Sequence, residues 1–172
     1  MKAYESFRLL SNEELDVLVL SACEDDEIPD KIAGGVLTYR RIPLKRFERL
    51  PEDTRKAYVR RTLRDRQAAD LALYVLSAAL LKGKAAMVSA FLEALGLPHD
   101  GPNLTSEGAI PEPSAKKLKA AVDHLLKSFP PREVALYLHA FAAQPDVAWP
   151  SLDERLGSDA KLHLEDRSTP EG

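Results

Sequence analysis

PEDTRKAYVRRTLRDRQAADLALYVLSAALLKGKAAMVSAFLEALGL, residues 51–97, and PEPSAKKLKAAVDHLLKSFPPREVALYLHAFAAQPDVAWPSLDERLGS, residues 111–158, share a set of landmarks when laid side by side. Each begins with Pro-Glu (Pro51-Glu52, Pro111-Glu112), carries Ala-Leu-Tyr in its most apolar part (Ala72-Leu73-Tyr74, Ala135-Leu136-Tyr137) and closes on Leu-Gly (Leu95-Gly96, Leu156-Gly157). Landmarks kept in order at nearly constant spacing are the mark of a duplicated unit. Amphipathic stretches rich in alanine and leucine also share letters whenever their apolar periods are in phase, so duplication and coincidence both stand. Both readings make the stretches helical. Two units are fewer than a solenoid needs.

The expectation is therefore an all-α, compact helical domain of roughly six to eight helices of ordinary length, with 51–97 and 111–158 as two copies of a three-helix unit. The breaks are marked by local chemistry. Pro51 suits the first turn of a helix, with Glu52 and Asp53 complementing its dipole. The change at about Arg66 from charged to apolar composition predicts a break between a surface helix and a core helix, and Gly83 ends the second. Val88, Phe91, Leu92 and Leu95 form the stripe of a third, stopped by Gly96 and Pro98. In the other stretch Ser114 is an N-cap, Pro130-Pro131 restarts the helix after about Ser128, Pro145 stops it beyond Gln144, and a short helix follows Pro150. Between Gln67 and Leu81 only Asp70 is charged, and nothing is between Val134 and Gln144, so both middle helices are expected at the centres of their units.

Outside the two stretches the signals thin out. Ser11 with Glu14 makes a capping box for a first helix from about Asn12 to Cys23. Pro29, Gly34 and Gly35 make the segment after the acidic run Glu24–Glu27 a loop, with one short strand at Val36–Tyr39. The domain plan is thus a single domain over residues 1–158: an N-terminal helix and loop (1–50), a helical unit (51–97), a proline-rich linker (98–113) and a second unit (114–158). Residues 159–172 are read as a polar, mobile tail.

At 172 residues the chain can bury a full core without metals or disulfides, and its one cysteine, Cys23, fits a reducing compartment. Glu5, Glu13, Glu14 and Asp16 interrupt any secretory signal, and the longest apolar run, Leu71–Leu81, is too short to span a bilayer. No export, no membrane and a cytoplasmic setting are expected. No sequence motif names an activity: a nucleophile elbow, a phosphate loop, H-E-x-x-H and C-x-x-C are all missing. No cofactor and no metal site are implied. The acidic run lacks the ligand spacing of a calcium loop. His139, alone in an uncharged helical stretch, and His124, beside Asp123, are the residues an enzyme would use, as acid or base with a carboxylate; a satisfied histidine is the plainer reading.

The charge distribution is the lead that remains. The formal net charge is −3, yet the segment from Arg40 to Arg66 is strongly basic. Lys56, Arg60 and Arg64 follow at i, i+4 and i+8 with Arg61 beside them, crowding like charges on one helix face at a few tenths of a kcal/mol per pair. The chain's own acidic loop, an acidic protein partner or nucleic-acid phosphates would offset that. The reading that follows is a non-catalytic protein–protein interaction module presenting the basic helix 55–66 to an acidic partner through Lys56, Arg60, Arg61 and Arg64. Nucleic-acid binding through the same face is the alternative, an acid–base enzyme the second. On this reading, reversing Arg60 and Arg64 to glutamate abolishes partner capture and leaves the fold intact.

Overall fold

The computed structural model describes residues 1–165, and among these the protein is all-α. Ten α-helices are joined by short 3-10 and π turns and one two-stranded ribbon. The chain divides into two compact units, Lys2–Gly83 and Lys84–Leu164. The division after Gly83 falls inside the first quoted stretch and not in the proline-rich segment 98–113. Its third helix belongs with the second unit, so the two stretches do not fold as two separate three-helix bodies.

The first unit holds α1 (Ala3–Leu9), α2 (Asn12–Ala22), α3 (Ile28–Arg40), α4 (Leu44–Glu48), α5 (Glu52–Leu63) and α6 (Ala69–Ala78), the last running into a π turn, Ala79–Gly83. The capping box of α2 forms in both directions: the Glu14 N–H donates to Ser11 Oγ at 3.1 Å and the Ser11 N–H to Glu14 Oε2 at 2.8 Å. Leu15, Leu18 and Ala22 then face the core. The predicted break near Arg66 is present, where Asp65 Oδ1 accepts from the Gln67 N–H at 2.9 Å and starts a 3-10 turn, Arg66–Ala68.

Most of the loop expected after the acidic run, and the strand expected at Val36–Tyr39, are helical instead, as α3 and α4. Pro29 lies in the first turn of α3, where its missing N–H costs nothing, and Ile28, Ile32 and Val36 bury one face at four-residue spacing. Gly35 is there for proximity: a Cβ would come within 2.4 Å of the Leu71 side chain. One member of a glycine pair read as a loop signal is thus a contact between α3 and α6. Gly83 plays the same part against α2, where a Cβ would meet Ser21 Cβ at 2.6 Å.

The second unit holds α7 (Ala85–Leu95), a ribbon of β1 (His99–Asp100) and β2 (Asn103–Leu104), α8 (Ala115–Ser128), α9 (Pro131–Ala142), α10 (Pro150–Ser158) and a 3-10 turn, Ala160–Leu162. Gly96, at φ +65°, ends α7, and Ser114 Oγ caps α8 by accepting from the Lys117 N–H. Its core is aromatic. Phe91 meets Tyr137 and Phe141 edge-on, with centroids 5.5 and 5.4 Å apart, and Phe141 lies 5.2 Å from Trp149. Central burial of α9 is as expected, with Val134, Ala135, Leu136, Tyr137, Leu138 and Phe141 all inside.

Two readings change here. The segment 98–113 is tied into this unit: Trp149 Nε1–H donates to the Ile110 carbonyl at 2.8 Å, and the Ile110 N–H to the Asp146 carbonyl at 2.9 Å. The polar tail begins later than Ser158, since Leu162 is fully buried and Leu164 nearly so. Two leucines two apart suffice to pin a short polar segment. The rest of the expected tail, 166–172, lies outside the described residues.

Candidate functional site

Helix α5 has too little apolar surface to be held by burial alone, with only Thr62 and Leu63 inside, and its arginines supply the attachment. Arg60 Nη1 donates to both carboxylate oxygens of Asp16 on α2, at 3.1 and 2.9 Å, and its side chain is only 13% exposed. Arg64 spreads its guanidinium over the turn between α1 and α2: Nε donates to the Phe7 carbonyl at 3.1 Å, Nη1 to Asn12 Oδ1 at 2.9 Å and Nη2 to the Leu10 carbonyl at 2.9 Å. Those carbonyls lie at the end of α1, where a helix leaves acceptors unpaired. Lys56 pairs along its own helix with Glu52 at 2.9 Å, and this contact lowers the Glu52 pKa and raises that of Lys56.

Two arginines from elsewhere close on the carboxyl end of α5. Arg40, from α3, donates through Nη2 to the Arg61 carbonyl at 2.8 Å and to Asp65 Oδ2 at 3.0 Å, and through Nε to Thr62 Oγ1 at 3.0 Å. Arg8, from α1, donates Nε–H to the Arg64 carbonyl at 2.8 Å and lies over the Tyr4 ring. Cations are favoured at a helix C-terminus because the last carbonyls present the negative end of the dipole. Asp16, Glu52, Asn12 and backbone carbonyls are thus among the partners that hold the like charges of this helix face.

Arg8, Arg40, Arg61 and Arg64 with Asp65 line an open groove of about 460 Å³. Of the four residues singled out in the sequence, Arg61 and Arg64 line it; Lys56 and Arg60 do not. Arg61 is exposed. Arg8 and Arg40 are the residues that sequence spacing misses, because they arrive from separate helices. The electrostatic consequence follows from this composition. The lining residues are four arginines and one aspartate, Asp65, which pairs with Arg40, so the lining itself is positive in sum.

The two histidines singled out in the sequence sit in different surroundings. His139 Nε2 lies 3.1 Å from the Leu162 carbonyl, which can only accept, so Nε2 carries the hydrogen. Burial lowers the pKa of His139 below its ordinary 6.5, and the nearby His163 lowers it further. His124 stands exposed on α8. No group of three His, Cys, Asp or Glu side chains that could hold a metal occurs among the described residues. No single helix among them is long and apolar enough to cross a membrane. No protein family model matches the chain, and no curated protein or solved structure resembles it significantly.

Proposed function

We propose that the protein is a helical interaction module that takes an acidic segment of a partner protein in the groove between Arg8, Arg40, Arg61 and Arg64. The observation that carries this reading is the convergence of four guanidiniums, from α1, α3 and the carboxyl end of α5, on one groove whose lining includes a single carboxylate, Asp65, paired with Arg40. Planar guanidiniums suit carboxylates, which they can engage in bidentate fashion. The cluster is compact. The helix-long basic stripe that would follow a nucleic-acid backbone is interrupted, because Glu52 takes Lys56 and Asp16 takes Arg60. That favours a short acidic peptide over phosphate tracking. A cytoplasmic setting belongs to the same proposal: Cys23 is the one cysteine, and burial raises its thiol pKa, away from reactive thiolate.

The test is fluorescence anisotropy of a labelled Asp/Glu-rich peptide titrated with intact protein. Arg61→Glu is the informative variant, since Arg61 is exposed and its side chain does not join two elements. We expect affinity to fall at least about tenfold with an unchanged melting curve. Equal affinity for the variant would remove the groove from the reading. A single-stranded oligonucleotide that binds more tightly than the peptide, with affinity collapsing between low and physiological salt, would give the site to nucleic acid.

A further inference from the structure

Helix α6 departs from its expected burial in a patterned way. Asp70, Leu73, Tyr74, Ser77 and Leu81 recur at intervals of three and four residues, which places them on one helix face. Leu73 is 58% exposed, Tyr74 40% and Leu81 37%, although the helix lies against α1, α2 and α3 on its other sides. Together with Asp25, Ala78 and Lys82 these residues line a groove of about 430 Å³ whose walls are mainly apolar. A continuous exposed stripe differs from the scattered single leucines of an ordinary surface.

One side of the groove is already fixed. The Tyr74 hydroxyl donates to Glu27 Oε2 at 3.3 Å, and the Lys31 ammonium sits 3.8 Å from the ring centroid. A preset aromatic loses little entropy when a partner closes on it, which is the property of an interface anchor. The rim decides what would close. Asp25, Asp70 and Lys82 all line the groove, two carboxylates with one ammonium, and Asp25 belongs to the run Glu24–Glu27. A second copy bringing this same face would set two linings of net negative charge together, which self-complementary pairing disfavours, whereas a basic partner meets opposite charge.

We propose that the α6 groove binds an amphipathic helix of a partner protein, its apolar side chains at i, i+3 or i+4 and i+7 seated between Leu73 and Leu81, its flanking lysines or arginines meeting Asp25 and Asp70. This site is independent of the arginine groove and takes the opposite charge.

The probe is a fluorescent ~18-residue Leu/Lys peptide with helical apolar period, long enough to be helical, against a scrambled peptide of identical composition with no apolar face. Both are titrated into the intact protein, into Leu73→Ser with Leu81→Ser, and into Asp25→Asn with Asp70→Asn. All four positions reach the surface, and far-UV circular dichroism checks each fold. We expect the periodic peptide to bind about tenfold or more tightly than the scrambled one. The leucine pair should cost about tenfold, and the aspartate pair should weaken binding and flatten its salt dependence. Equal binding of the two peptides, no binding, or binding that the leucine variants leave unchanged overturns the proposal. So does sedimentation of the intact protein as a dimer that Leu73→Ser dissociates, which would make a second copy the occupant.

Discussion

Tyr137 and His139, two residues apart on α9, show how the same helix treats two polar groups. The Tyr137 hydroxyl is buried in the aromatic core with no hydrogen-bond partner, and desolvation raises its pKa well above the tyrosine range. Leaving such a group unpaired costs about 1–3 kcal/mol, whereas deleting it keeps the ring contacts with Phe91 and Phe141. Tyr137→Phe is therefore expected to stabilise the second unit by about 1 kcal/mol, read as a higher urea midpoint with unchanged slope. His139 has its partner but pays in burial. With the folded pKa depressed below 6.5, the unfolded chain takes up the proton first, so the stability His139 confers is present above about pH 6.5 and is lost as pH falls through that range. Urea midpoints measured from about pH 7.5 down to about pH 5 should decline, and His139→Gln should flatten the decline. This window lies above that of the carboxylates, so the two titrations separate.

At the scale of the element, the arginines of α5 divide by what they touch. Arg60 and Arg64 join α5 to α1 and α2, so reversing both to glutamate is expected to destabilise the first unit by about 2–4 kcal/mol, while Arg61→Glu leaves it unchanged; chemical melts of the three proteins check this. The double reversal is thus no clean test of binding, contrary to the expectation drawn from sequence. Glycines divide in the same way. Gly34 has open space where a Cβ would go and sits inside α3, so Gly34→Ala should stabilise by up to about 1 kcal/mol. Gly83→Ala meets Ser21 backbone as well as its side chain and should lower the midpoint. Elements with local signals were legible: Ser11 with Glu14, Ser114, Gly96 and the break before Ala69 all act within a few residues of themselves. α3 was not, because Gly35 answers to Leu71, thirty-six positions along the chain. The groove was half legible for the same reason, as Arg8 and Arg40 reach α5 across 56 and 21 residues.

For the whole molecule, the consequence of a boundary at Gly83 is that residues 84–164 carry their own core. A fragment of that span is expected to unfold cooperatively in urea by far-UV circular dichroism, because the Phe91, Tyr137, Phe141 and Trp149 cluster and the tie to Ile110 lie within it; a featureless, non-cooperative loss of signal would show that the boundary is not a folding boundary. Sequence alone placed the boundary in the proline-rich stretch because prolines and glycines usually mark linkers, and nothing local to Ile110 says that an indole 39 residues on will bond to its carbonyl. That indole has a further use. Trp149 is the only tryptophan of the chain and belongs to the second unit, while four of the five tyrosines, Tyr4, Tyr39, Tyr58 and Tyr74, belong to the first. Each half carries its own chromophore, so red-edge excitation isolates one and tyrosine absorbance weights the other. Label-free optics can therefore follow the two halves separately in the intact protein.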